Sequence, residues 1–96
     1  MIPLRGEVTT VGRGRGADIR LDDPSVSRRH ARIMISAEIA TLEDLGSKNG
    51  THIGETRVQA PLPLSDGDTV RIGSVPLLVR LFRTPESTVT SVESER

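Results

Sequence analysis

Glycine and proline interrupt this chain so often that long helices have little room. They stand at Pro3, Gly6, Gly12, Gly14, Gly16, Pro24, Gly46, Gly50, Gly54, Pro61, Pro63, Gly67, Gly73, Pro76 and Pro85, and the segments between them are mostly of strand length. The candidate strands are Val8 to Val11, Ile19 to Leu21, Ala31 to Ile35, Ile39 to Glu43, Thr51 to Ile53, Thr69 to Ile72 and Pro76 to Phe82. Short strands at this spacing predict an all-β fold, a small antiparallel sandwich or barrel.

One window tests that expectation. Val26 to Leu45 contains neither Gly nor Pro, and Ala31, Met34, Ile35, Ile39 and Leu42 follow a helical stripe. An alternating pattern competes with it, placing Ala31, Ile33, Ile35, Ala37 and Ile39 on one face and His30, Arg32, Ser36 and Glu38 on the other, with Met34 out of phase. The β-branched Ile33, Ile35, Ile39 and Thr41 favour two strands joined by a turn near Ser36-Ala37-Glu38. A helical Val26 to Leu45 would instead suit a DNA-binding transcriptional domain.

Composition narrows the function classes. The 96 residues make one domain at most, and with 34% apolar content the core is modest. Phe82 is the only aromatic residue, which argues against an aromatic cage or a base-stacking surface. Thirteen basic residues balance thirteen acidic ones, so no whole-molecule attraction to nucleic acid or an anionic membrane is expected. Twelve of the basic residues are Arg, whose planar guanidinium suits bidentate contact with phosphate or carboxylate. The chain has no Cys and only His30 and His52 as imidazoles, so neither a disulfide framework nor a metal site is expected. No apolar run reaches the ~18 residues of a membrane span. The cytoplasm is the default expectation, with no cofactor.

Three polar clusters sit beside strand-like segments: Gly12-Arg13, Ser27-Arg28-Arg29-His30 and Ser47-Lys48-Asn49-Gly50-Thr51. Taken alone, Gly12-Arg13-Gly14-Arg15-Gly16-Ala17 satisfies a loose dinucleotide-binding pattern. The helix that pattern needs is missing, since Asp18 to Asp23 is short and ends at Pro24. Ser27 and His30 could suggest a nucleophile and base, but three residues apart on a strand they point to opposite faces and lack a carboxylate partner. His30 is better read as a brace for its own loop. Asn49-Gly50 is a strong turn signal. From Thr84 the chain turns polar without a usable apolar face, so residues 84–96 read as a disordered tail or linker after a domain spanning residues 1–83.

Taken together and in order, the clusters resemble the forkhead-associated (FHA) family. The resemblance covers roughly residues 5 to 82 and rests on Gly12-Arg13, Ser27-x-x-His30 and Asp44-Leu45-Gly46-Ser47-x-Asn49-Gly50-Thr51, with Leu21 to Ser27 and Leu64 to Gly73 also similar to the family. It implies a two-sheet β-sandwich, here with a shortened N-terminal strand because only eleven residues precede Gly12. It also implies a non-catalytic module that binds phosphothreonine peptides in Ser/Thr kinase signalling. By resemblance, Arg13, Ser27, Arg28 and Lys48 form the phosphothreonine site and Asn49 holds the peptide backbone, while Gly12, His30, Gly50 and Thr51 shape the loops. Lys48 departs from the small polar residue common at its position. Arg15 and Arg29 add to the positive field, and Ser25-Val26 and Gly73-Ser74 are the loops expected to set flanking preference. The implied partner is a phosphothreonine protein, such as a Ser/Thr kinase or its substrate; separately, the tail's own Thr84, Thr88 and Thr90 are candidate phosphorylated ligands for the same or another copy. A scaffold that binds unphosphorylated partners is the alternative within the same fold.

Overall fold

The computed structural model describes residues 2–4, 8–36, 39–83 and 88–94. Within them the chain forms β1 (Ile2–Leu4), β2 (Val8–Gly12), β3 (Ile19–Arg20), β4 (Ala31–Ser36), β5 (Ile39–Asp44), β6 (Thr51–Ile53), β7 (Thr56–Arg57), β8 (Leu62–Pro63), β9 (Thr69–Ile72), β10 (Val75–Arg83) and β11 (Thr88–Ser94). There is no helix among the described residues. One sheet has the order β1-β11-β10-β9-β6-β7 and the other β3-β2-β4-β5-β8. Neighbours are antiparallel except β2 and β3, a short parallel pair in which Val11 stands opposite Ile19.

The contested window resolves as two strands. β4 and β5 pair from Ala31 opposite Asp44 to Ser36 opposite Ile39. That register puts Ile33 and Leu42 on the inner face and Met34 and Thr41 on the outer, so Ala31, Ile33, Ala40 and Leu42 are buried. The expected phase does not carry across the connection: Ile39 is 55% exposed. Residues opposite each other share a face, and Ile39 faces the exposed Ser36. The turn expected at Ser36-Ala37-Glu38 falls largely on residues 37 and 38, which lie outside the described residues.

The core lies between the two sheets. Val11, Ile19, Ala31, Ile33, Ala40 and Leu42 come from one sheet, and Val70, Ile72, Val75, Leu77 and Val79 from the other, with Val26, Val58 and Leu64 added by connecting segments. Among the described residues every buried apolar side chain is aliphatic, and the alternation along β9 and from Val75 to Arg80 of β10 leaves polar or partly exposed residues outside.

The expectation of a disordered segment from Thr84 onward gives way over Thr88–Ser94. Those residues form β11, which pairs with β10 from Leu77 opposite Ser94 to Arg83 opposite Thr88, and with β1 through Leu4 opposite Thr90. The physical reason is backbone pairing: β10 would otherwise present a long unpaired edge, and the β-branched Thr88, Val89, Thr90 and Val92 suit an extended chain. Thr84 lies outside the described residues.

Leu42 is completely buried between the sheets. Leu42→Ala is expected to lower the free energy of unfolding by about 2–5 kcal/mol, measured by urea titration, while the far-ultraviolet spectrum remains that of a β protein.

Candidate functional site

Four loops meet at one end of the sandwich, and hydrogen bonds between them define the site. The β2–β3 loop is tied to the β3–β4 loop where Arg13 N donates to Ser27 O at 2.9 Å and Gly14 N to Arg28 O at 3.1 Å. The β3–β4 loop is tied to the β5–β6 loop where Asn49 Nδ2 donates to Ser25 O at 2.8 Å and Lys48 N to Ser27 Oγ at 3.0 Å. The β9–β10 turn joins them, with Gly73 N donating to Gly50 O at 3.1 Å and Ser74 N to Ser25 Oγ at 2.9 Å. Ser25-Val26 and Gly73-Ser74, far apart in the chain, are therefore neighbours.

His30 stands at the centre and is wholly buried. Its Nδ1 accepts from Ser27 N at 3.0 Å. Since a backbone N–H can only donate, Nδ1 carries the lone pair and Nε2 carries the hydrogen, which Nε2 donates to Gly50 O at 2.8 Å. The main chain of His30 adds two more links, its N donating to Val11 O and its O accepting from Leu45 N. One residue thus touches the ends of β2 and β5 and both of the loops that flank the site.

The β5–β6 loop is folded around Asp44. Its Oδ1 accepts from the hydroxyls of Ser47 and Thr51, and its Oδ2 from Gly46 N and Ser47 N, both at 3.0 Å. Ser47 Oγ also accepts from Gly50 N at 3.0 Å. Partial burial alone would raise the Asp44 pKa, but the hydrogen bonds from Ser47, Thr51 and Gly46 together outweigh it and hold the carboxyl below its ordinary value of 3.8. Thr51 is fully buried beneath this clamp.

Gly12 and Gly50 are among the glycines that the geometry requires. A Cβ on Gly12 would lie 2.1 Å from Arg28 O, so only a bare Cα lets the β2–β3 and β3–β4 loops approach. Gly50 has φ +88°, which closes the β5–β6 loop toward His30.

The charged and polar side chains are arranged above this frame. Arg13 is exposed, with its Nε donating to Val26 O at 3.0 Å, which fixes the guanidinium and leaves its two terminal nitrogens without a bond to any other described residue. Ser27 Oγ accepts from Lys48 N and so retains its own hydrogen to donate. Asn49 uses Nδ2 on Ser25 O, which leaves Oδ1 to accept a peptide N–H. The Lys48 side chain is exposed. Arg28 and Arg13 border an open depression together with Arg15, Arg20 and Asp22, and Arg20 Nε is anchored on Arg13 O at 3.1 Å. Arg29 lies on the other side of the β2–β3 loop, beside Thr10, Gly16 and Ala17. Asp18 and Thr10 exchange hydrogen bonds where the dinucleotide pattern would need a helix.

Reading the sequence did not single out Asp44 or Ser47 as organisers, although both lie in a quoted motif. The available signal was the Asp-x-x-Ser spacing with glycine between, which suits a carboxylate folding back on the next main-chain N–H groups. The Ser25 and Ser74 loops were expected, by resemblance, to share a role, but their direct contact, between residues 49 positions apart, is not encoded in any local pattern.

Two measurements test this frame. His30→Ala leaves Ser27 N–H without its acceptor and opens a buried void, at a cost of about 3 kcal/mol. Hydrogen exchange at Ser27 and urea unfolding should both register the loss. For Asp44 the folded pKa is depressed, so its stabilisation is present above 3.8 and is lost as pH falls from there through the lower folded value. The stability gap between wild type and Asp44→Asn should therefore be constant near neutral pH and close in acid.

Comparison with known proteins places this architecture. The FHA domain family matches residues 9–73, more than half of the chain. The FHA domain-containing protein FhaA of Mycobacterium tuberculosis is 42% identical over 78 residues, which cover 81% of this chain and 15% of FhaA. The chain thus spans less than a fifth of that relative. The crystal structure of the FhaA FHA domain complexed with the intracellular domain of Rv3910 overlaps 94% of this chain and 84% of that one, at 36% identity and a TM-score of 0.70. A structure from work on phosphothreonine-dependent FHA domain interactions overlaps 97% and 82%, at 34% identity and a TM-score of 0.71. With the matched segment running from β2 to Gly73 and carrying all of the site except Ser74, the chain belongs to the FHA domain family.

Proposed function

We propose that this domain binds phosphothreonine-containing segments of partner proteins and catalyses no reaction. The observation that carries the reading is the placement of an anchored Arg13 guanidinium, a Ser27 hydroxyl with a free hydrogen and an Asn49 carbonyl at one exposed end of a rigid sandwich. Arg13 supplies a charge-assisted contact to the phosphate, Ser27 donates its hydroxyl to a phosphate oxygen, and Arg28 and Lys48 add positive charge beside them. Asn49 pairs with the peptide main chain. Gly12, His30, Gly50 and Thr51 hold the loops in shape.

The hydrogen bonds speak against nucleophilic chemistry. A base for Ser27 would need a free imidazole nitrogen facing its hydroxyl, whereas both His30 nitrogens are engaged elsewhere, one by Ser27 N–H and one by Gly50 O. Recognition of threonine over serine would rest partly on burying one methyl group, about 0.8 kcal/mol or roughly fourfold, with shape restriction adding the rest.

The solved relatives support the same reading, one of them coming from work on phosphothreonine-dependent interactions. The partners proposed are Ser/Thr kinases or their substrates, in the cytoplasm; the absence of cysteine fits a reducing compartment. Among the described residues no helix is long and apolar enough to cross a membrane. The chain's own threonines are partners of a more restricted kind. Thr88 and Thr90 stand opposite Arg83 and Leu81 in the sheet, so either would have to leave β11 to act as ligand.

Titration of a phosphothreonine peptide against its unphosphorylated and phosphoserine counterparts tests the activity. Arg13→Ala is expected to weaken phosphopeptide binding by about tenfold or more, with the β spectrum and unfolding midpoint retained. Equal affinity for phosphorylated and unphosphorylated peptides would favour a phosphate-independent scaffold instead.

A further inference from the structure

The outer face of the β6–β7–β9 sheet edge carries a row of basic side chains that the phosphothreonine site does not use. His52 on β6 stands opposite Arg57 on β7 and opposite Arg71 on β9. Thr51 and Ile72, one step away in register, face inward and are buried, so the row faces outward. Arg57 and Arg71 are exposed, and neither has a carboxylate partner among the described residues.

The other sheet shows what such a position ordinarily holds. On β4 and β5, Arg32 stands opposite Glu43, and the pair closes at 3.1 Å with both carboxylate oxygens engaged. Cross-strand neighbours of opposite charge stabilise a sheet and like charges do the reverse. On the β6–β7–β9 edge, a basic residue has the histidine as its neighbour instead.

His52 separates the two arginines without adding charge. Its Nδ1 is buried and has no hydrogen-bond partner among the described residues. A stranded lone pair is the less costly case, so Nδ1 carries it and Nε2 is the ring's N–H donor. Burial, then Arg71, then Arg57 hold its pKa below the ordinary value of 6.5, so the ring is neutral at neutral pH. Two guanidinium positions two strand spacings apart, roughly 10 Å, thus flank a neutral donor. This matches about three residues of extended peptide.

The row is continuous with the recognition loops. A Cβ built on Gly50 would lie 3.4 Å from His52 Cε1 and 3.6 Å from Arg57 Nε, and Gly50 follows Asn49. A peptide held at Asn49 reaches Arg57 within a few residues.

We infer that Arg57, His52 and Arg71 form an extension of the peptide-binding surface that receives carboxylate side chains of the bound segment, so that the preferred ligand carries an acidic run beside its phosphothreonine. The inference rests on the phosphothreonine reading for the anchor and adds the chemistry of the flanking chain. Glutamate and aspartate residues meet the arginines, and a carboxylate or carbonyl oxygen between them accepts from His52 Nε2.

Calorimetric titration of the whole chain with designed peptides decides it. Each peptide holds one phosphothreonine with a run of three Glu or three Gln placed on its N-terminal or its C-terminal side, and each is also made unphosphorylated. In one of the two placements the Glu peptide is expected to bind about fivefold more tightly than its Gln twin at low salt, as two exposed charge pairs would give, with the advantage fading as salt rises. In Arg57→Gln/Arg71→Gln the advantage should vanish while affinity for the Gln peptides stays at wild-type level. Glu and Gln peptides binding alike in both placements would overturn the inference, as would an advantage that survives in the double variant. Failure of the phosphothreonine reading looks different: phosphorylated and unphosphorylated peptides would then bind alike, and the Glu-to-Gln comparison would still judge the row by itself.

Discussion

The buried imidazole of His30 is the contact on which the rest of the binding end depends. With one nitrogen accepting from Ser27 and the other donating to Gly50, it fixes the separation of two loops that otherwise share only backbone and small polar contacts. Its own main chain is bonded to Val11 near the end of β2 and to Leu45 just past the end of β5. A ring buried this deeply tolerates no loss of either bond, because an unpaired polar group in such a place costs more than the bond itself contributes. Rigidity at the loop tips therefore has its origin beneath them.

Around that brace, neutral and charged contacts divide the work. Asp44 gathers three donors from its own loop and a fourth from Thr51 at the start of β6, and needs its negative charge to do so, whereas the exposed surface above is positive. Arg13 is steered by a single bond to Val26 O, and Arg20 in turn is held on Arg13 O. An anion arriving here meets donors that are already oriented, which lowers the ordering cost of binding. The same sandwich places a second basic surface along its side, where β6, β7 and β9 bring Arg57, His52 and Arg71 into one row beside Gly50. A chain with no net charge can thus carry two local positive surfaces, and composition by itself would conceal both.

Much of the fold was legible. The glycine and proline spacing placed β2, β4, β5, β6 and β9 within about a residue of their observed bounds, because turn chemistry is local. The short β7 and β8 were missed because Thr56–Arg57 and Leu62–Pro63 offer neither length nor an apolar β-branched residue, whereas the equally short β3 was found through Ile19. β1 and β11 were missed for another reason: both are polar or brief in sequence and exist because an adjacent strand offers an unpaired edge. Ile39 was placed on the wrong face because alternation cannot be carried through a reversal of the chain. In the site, Arg13, Ser27, Arg28, Lys48 and Asn49 could be nominated from motif order and the Ser25 and Ser74 loops from the family resemblance, yet the organising role of Asp44 and the contact between Ser25 and Ser74 entered only through hydrogen bonds.

What the sequence by itself determined is the all-β character, the aliphatic core, the absence of thiol and aromatic chemistry, and the identity of three polar clusters rich in anion-holding groups. Those follow from residue type and local spacing. Only the tertiary structure decided that the clusters converge on one buried histidine, that Gly12 must be bare because Arg28 O passes beside it, that residues 88–94 complete a sheet, and that two arginines flank His52. Each of these depends on which strands become neighbours and in what register, and register is set by the packing of whole faces against the core rather than by any one stretch of chain.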